Sequence, residues 1–368
     1  MKSQQIIWGL DELGQILNGL GCGRILLVAD SSFDHLPVKD RILSSVRPRG
    51  IFNAFHPNPS FGEIREGVKA FRGGGFDSIV AVGGGSSIDV AKCIKLAVKA
   101  DEGVACLIPP LVSERASVAV KPSVPLVAIP TTAGTGSEST ANAVHYYGGV
   151  KQTVAHPCIL PDVAILEPQV LITLPEYQKK STMMDALCQG IESWWSVEAT
   201  LESRTFSRIA VETIMQDWRR YIFHNVPNAA HSIMLAANYA GRAINIAHTT
   251  AAHAMSYKLG SMFGLPHGHS VAVCLPEIWE YMLGAADQHA IALFGQIAHT
   301  MGASDPAGAV AIFREMKAEL GLEGPVAGDR KDECAAELAS CVNTTRLRNN
   351  PVKLSEEVCK GLYMKILH

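Results

Sequence analysis

No stretch of this 368-residue chain approaches the ~18 consecutive apolar residues that a membrane-spanning helix requires. The opening MKSQQIIWGLDELGQIL has only a short apolar patch before two acids, too little for the core of a signal peptide. An excess of basic charge is missing as well. The formal net charge is −3, which leaves no electrostatic footprint for nucleic acid, so an anionic substrate would have to be met by a few local cations. No C-x-x-C occurs. The cysteines number nine, an odd count scattered at 22, 93, 106, 158, 188, 274, 334, 341 and 359, which suits reduced thiols better than a disulfide framework. Internal repeats and low-complexity segments are also lacking. These absences lead to the expectation of a cytoplasmic protein without nucleic-acid or membrane partners, and they leave a homodimer open. With 48% hydrophobic residues, the chain is long enough to bury a large core in two domains.

What is present falls into two halves. Up to residue 168, short apolar runs (Ile25–Ala29, Ser78–Val82, Val124–Ile129 and Val163–Leu166) alternate with helical stretches, the pattern of parallel βαβ units. A proline-bounded polar connection, 109–125, reads as a surface loop. After the turn at Leu174–Pro175 strand signals vanish, and long helical segments follow, among them 229–260 and 305–320. The expected architecture is an α/β dinucleotide-binding domain with a parallel sheet over 1–168. An all-α domain holding metal and substrate would follow over 169–368.

The run Ala81-Val-Gly-Gly-Gly-Ser-Ser-Ile-Asp-Val-Ala-Lys92 follows a strand and opens a helix. Glycines there admit close backbone approach to a phosphate, and free N–H groups with the helix dipole favour negative charge. Gly83, Gly84, Gly85, Ser86 and Ser87 are therefore expected to hold a pyrophosphate, although Ile88 stands where the G-x-G-x-x-G fingerprint needs its last glycine. Gly73–Gly75 precedes its strand and reads as a helix stop. A second loop, Ile129-Pro-Thr-Thr-Ala-Gly-Thr-Gly-Ser-Glu138, can add hydrogen bonds to phosphate or ribose. Asp30, closing the first apolar run, either accepts from ribose hydroxyls, favouring NAD over NADP, or simply caps a loop.

Further along, His253 and His267 stand fourteen residues apart across a helix-to-turn break, so both imidazoles can converge on one ion. Asp185 lies four residues before Gln189, on the same face if the segment is helical. Such N/O donors suit Fe²⁺ or Zn²⁺, and with an open position they make a Lewis acid. If 229–260 is one helix, Arg242, Asn245, Thr249, His253 and Tyr257 share a stripe. Arg242 would then serve either as a cation for an anionic substrate group or as an ordinary salt-bridge residue.

Taken together, GGGSSIDVAK, PTTAGTGSE, HPCILPDVAILEP, MDALCQGIES and HAMSYKLGSMFGLPHG occur in an order and spacing that resemble the iron-containing, or group III metal-dependent, alcohol dehydrogenases, over nearly the whole chain. The resemblance implies a dehydroquinate synthase-like fold and NAD(P)H-dependent reduction of an aldehyde. It implies metal ligation by Asp185, His253 and His267, with Gln189 where the family pattern D-A-L-x-H has histidine. Cofactor contacts from Asp89, Thr131, Thr132, Thr135, Ser137 and Lys151 are implied likewise, with Asn142 facing the substrate. Lys151 reads equally as a solvated turn residue. Tyr257 replaces a histidine often found near the reacting centre; it either donates or relays a proton or packs as a half-buried aromatic. Within the family the pattern is most similar to the phosphonoacetaldehyde reductases of phosphonate antibiotic biosynthesis, for which His248 and Arg346 are further candidate cations. Two other readings stand beside this one: a dehydroquinate synthase-like lyase or cyclase, and a metal-free, non-catalytic nucleotide-binding relative.

Overall fold

The computed structural model describes residues 4–109, 124–342 and 347–368. Most of the 109–125 connection and the Arg346 segment lie outside the described residues. Two compact units result: residues 1–132 with 136–174, and residues 133–135 with 175–368.

The first unit is built on a parallel sheet of β1 (Gln5–Trp8), β2 (Ile25–Ala29), β3 (Gly50–Phe52), β4 (Ser78–Gly83), β5 (Leu126–Pro130) and β8 (Val163–Leu166), in the order β1-β8-β5-β4-β2-β3. Strands β2, β4, β5 and β8 are buried along their whole length, which explains their uninterrupted Val/Ile/Leu/Ala runs: a parallel sheet is covered on both faces and has no polar side to alternate with. The edge strands β1 and β3, short and half-exposed, carry no such signal. Their connecting helices α1 (Leu13–Gly19), α2 (Lys39–Val46), α3 (Phe61–Gly74) and α4 (Gly85–Lys99) complete the layers. Gly75 ends α3 in the left-handed conformation, so Gly73–Gly75 is indeed a helix stop. The chain leaves β2 toward β3 on one side and β4 toward β5 on the other. The C-terminal ends of β2 and β4 thus flank the switch point where open α/β sheets bind ligands. A hairpin of β6 (Asn142–Tyr147) and β7 (Val150–Ala155) turns through Gly148 and Gly149, both at positive φ.

The second unit is helical: α5 (Glu176–Trp195), α6 (Leu201–His224), α7 (Pro227–Ala247), α8 (Ala251–Phe263), α9 (His267–Ala285), α10 (Gln288–Thr300), α11 (Pro306–Glu319), α12 (Lys331–Ser340) and α13 (Glu356–Ile366). A single helix over 229–260 is not found. The chain breaks at 248–250, where His248 takes φ 58° and ψ 171°, and restarts as α8. The common stripe inferred for Arg242, Asn245, Thr249, His253 and Tyr257 therefore does not exist, because the first two ride on α7 and the last two on α8. Among the described residues, no helix is long and apolar enough to cross a membrane.

Candidate metal centre and nucleotide loop

In the second unit the metal centre starts from α5. Asp185, Gln189 and Glu192 fall at helical spacing along one buried face and are 2%, 3% and 0% exposed. Helix α8 brings in His253, whose Nε2 lies 3.2 Å from Asp185 Oδ1. Helix α9 supplies His267 as its first residue, with Nε2 3.7 Å from the same oxygen. One donor atom from each of Asp185, His253 and His267 falls within 4.8 Å of the others, the arrangement one ion requires. Glycine makes this convergence possible. A Cβ at Gly268 would stand 1.9 Å from the Ser181 carbonyl oxygen and 2.9 Å from Asp185 Cβ, so only glycine lets the start of α9 press against α5. His269, two residues on, takes no part. It bonds the Tyr177 hydroxyl at 2.7 Å and the Glu323 carbonyl at 2.8 Å, and burial lowers its pKa.

Does this donor set suit a metal? The Gln189 side chain gives the clearest answer. Its Nε2 is 3.4 Å from the Thr135 carbonyl, a weak contact that still sets the direction of the amide, while its Oε1 is buried with no hydrogen-bond partner. A buried orphan carbonyl costs about 1–3 kcal/mol unless something occupies it, and one turn from Asp185 an ion would do so. The charge also matches. Burial works against a charged His253, but the carboxylates of Glu192 and Asp185 outweigh it and hold the imidazole pKa up at about 9. The site wants a cation.

Glu192 is the residue that sequence reasoning missed. Its Oε1 accepts from Thr250 N (3.1 Å), Thr250 Oγ1 (2.8 Å), Ala252 N (2.9 Å) and His253 N (3.3 Å), and its Oε2 bonds His253 Nδ1. A signal was available: an acid seven residues after Asp185 in an otherwise apolar turn, which cannot be buried without partners. Tyr257, one turn beyond His253, stacks its ring on His267 with centroids 5.7 Å apart and planes 8° from parallel.

Of the residues offered for a phosphonate, Asn245, His248 and Thr249 stay together at the α7–α8 break, while the Arg242 guanidinium is held against aromatic rings. The Arg242 guanidinium lies over the rings of Phe206 at 4.1 Å and Tyr239 at 5.2 Å, two neighbouring aromatic faces that hold it by cation–π attraction. His248 is exposed and 3.5 Å from Glu198. Thr249 is buried, with its carbonyl accepting from Asn349 Nδ2 at 3.3 Å, and Asn245 sits half-buried near the end of α7. Arg346 lies outside the described residues.

In the first unit, β4 runs into the glycine loop and α4 starts at Gly85. Gly83 has φ 151°, and a Cβ there would meet Ser87 Oγ at 2.2 Å, so the turn itself demands glycine. Gly84 is different: a Cβ would find only Thr132, at 3.4 Å, an ordinary contact. Asp30 closes β2 and is held twice, accepting from Ser32 N at 2.8 Å and from Ser87 Oγ at 2.7 Å, which ties the two loops at the switch point together. Ser86 Oγ accepts from Asn58 N, and Thr131 N donates to the Gly83 carbonyl. Asp89 accepts from Ser137 Oγ (2.7 Å) and Val144 N (3.0 Å), so its oxygens brace the loop and hairpin. The fully buried Lys92 adds bonds to Ser137, Thr140 Oγ1 (2.9 Å) and the Asn142 carbonyl (2.8 Å); burial pulls its pKa down to about 8. Lys151 lies on β7 opposite Tyr146; burial raises the Asp89 pKa, and the charges of Lys92 and Lys151 oppose that rise.

Comparison with known proteins agrees with this geometry. The iron-containing alcohol dehydrogenase family matches residues 6–168, and its C-terminal counterpart, the Fe-containing alcohol dehydrogenase family, matches residues 179–367. The probable alcohol dehydrogenase EutG of Escherichia coli is 30% identical over 362 residues, covering 95% of this chain and 89% of that one. The phosphonoacetaldehyde reductase of Streptomyces viridochromogenes is 33% identical over 274 residues, covering 70% of this chain and 67% of that one. Among solved structures, sulfoacetaldehyde reductase from Bifidobacterium kashiwanohense in complex with NAD+ superposes with a TM-score of 0.88 at 25% identity, covering 100% of this chain and 97% of its own. Two adjoining family matches that span nearly the whole sequence decide the matter: the chain belongs to the iron-containing alcohol dehydrogenase family.

Proposed function

We propose that this enzyme uses NADH and a divalent ion to reduce a short aldehyde carrying a tetrahedral anionic group, phosphonoacetaldehyde to 2-hydroxyethylphosphonate being the reaction we favour. The observation that carries the chemistry is the buried convergence of Asp185, His253 and His267 with the unpartnered Gln189 oxygen beside them. Fe²⁺ or Zn²⁺ held by these three, with Gln189 as fourth donor, would supply Lewis acidity that polarises a carbonyl and makes it a better hydride acceptor.

The chain's own groups do the rest. Backbone N–H groups of Gly84–Ser87 at the start of α4 are disposed to take a pyrophosphate. The carboxylate of Asp30, held in place by Ser32 and Ser87, suits ribose hydroxyls and repels a 2′-phosphate, so NADH is preferred. Gly85, Ser86, Thr131, Thr132, Thr135, Ser137 and Lys151 line or support that cofactor in this reading. Tyr257, stacked on His267, is the proton donor to the product oxygen.

For the substrate, two relatives support an aldehyde with a phosphonate or sulfonate on the next carbon. The α7–α8 break, where Asn245, His248 and Thr249 lead into His253, is where this reading places that group. Steady-state rates of NADH oxidation with phosphonoacetaldehyde, sulfoacetaldehyde and propanal test it. A higher kcat/KM for phosphonoacetaldehyde is expected, and a wild-type preference for propanal would refute the anionic-substrate reading.

A further inference from the structure

Glu192 lies behind His253 and is 0% exposed, yet it is spent on neither a lysine nor an arginine. Its two oxygens bond at the α8 entrance, to three backbone N–H groups, the Thr250 hydroxyl and the His253 ring. Thr250 sits at the N-terminal boundary of α8 but makes no cap with its own side chain, so Glu192 caps the helix from α5. The other oxygen faces His253 Nδ1. An ionised carboxylate can only accept, so Nδ1 must keep its proton, and Nε2, 3.2 Å from Asp185 Oδ1, is the nitrogen that gives up its proton when an ion takes the lone pair.

We propose that Glu192 is a positioning residue that makes His253 a metal ligand, by capping α8 with one oxygen and fixing the Nδ1–H tautomer of the imidazole with the other. This rests on the metal-dependent reading above. It also explains how the site works with glutamine in the fourth place: a carboxylate behind His253 strengthens that imidazole as a donor while Gln189 offers only a weak one.

Glu192→Gln separates this from a merely structural role, because glutamine is nearly isosteric but has only one acceptor oxygen. If its oxygen keeps capping α8, its NH₂ meets Nδ1 and forces the proton onto Nε2, where it blocks ligation. If the amide turns over, the NH₂ group opposes the three backbone N–H groups of the cap. The experiment is Zn²⁺ titration of chelator-stripped wild type and E192Q, with thermal melts of both stripped proteins. The expected result is Zn²⁺ affinity about 10–100-fold weaker in E192Q, together with a shift of the imidazole ¹⁵N signals. Equal Zn²⁺ affinity in the two proteins would overturn the role of Glu192 and leave the metal reading intact. A wild type that binds no Zn²⁺ would overturn the metal reading itself, and this role with it. Should E192Q fail to fold, ¹⁵N-histidine spectra of Zn²⁺-loaded wild type decide the point. Protonated Nδ1 with zinc on Nε2 of His253 is expected, and the opposite assignment overturns the proposal.

Discussion

Replacing Gly268 with alanine asks whether the metal site depends on the contact between α9 and α5. The added Cβ would lie 1.9 Å from the Ser181 carbonyl oxygen, and ordinary contact begins near 3.4 Å, so the two helices must part by about 1.5 Å. That carbonyl is backbone inside a buried helix, and the next obstacle, Asp185 Cβ at 2.9 Å, belongs to a metal-site residue, so neither can swing aside. Overpacking of this kind costs about 1–3 kcal/mol, several degrees in Tm for a unit of this size. The same displacement carries His267 away from Asp185, from which its Nε2 now stands 3.7 Å. Gly268→Ala should therefore lower the melting temperature of stripped protein modestly and, in addition, shrink the stabilisation conferred by added Zn²⁺. Differential scanning calorimetry with and without the ion measures both. A variant that melts with wild type and gains as much from Zn²⁺ would show that the close approach is not what sets the site.

Other predictions are more local. Gly83→Ala should destabilise the fold, through its positive φ and the Ser87 clash, whereas Gly84→Ala should leave the melt unchanged and raise the NADH Kd, since the space there is open until a phosphate enters; calorimetry and fluorescence titration separate the two. Gln189→His should tighten Zn²⁺ binding, because imidazole is the better donor, and an unchanged affinity would remove Gln189 from the ligand set. Arg242→Ala should cost about 0.5–1 kcal/mol of stability through the lost stack on Phe206 and Tyr239, and should affect phosphonoacetaldehyde and propanal kinetics alike. A selective rise in KM for the phosphonate would return Arg242 to the substrate site.

Much of the fold was legible because its core strands are buried on both faces: Ile25–Ala29 and Val163–Leu166 are strands over the ranges their composition marks. Edge strands β1 and β3 escaped because three or four half-exposed residues carry no periodicity. Asp185, His253 and His267 could be picked out because ligating residue types recur at suggestive spacing, and the structure brings them together. The break at 248–250 could not be read the same way. Its cap comes from Glu192, 58 residues away in sequence and on another helix, so no local signal announces the start of α8. Arg242 misled for a related reason: a cation aligned with His253 on one helix loses that alignment once the helix is two, and its aromatic partner Phe206 is contributed by α6.

A divalent ion at the Asp185–His253–His267 centre is the requirement on which the proposed NADH-linked aldehyde reduction depends. Elemental analysis and NADH oxidation should be followed on one preparation as purified, after chelation and after re-addition of Fe²⁺ or Zn²⁺, with Asp185→Ala alongside. Activity that vanishes with the metal, returns with it and never appears in Asp185→Ala is the predicted result. Full turnover by protein shown to be metal-free would contradict it.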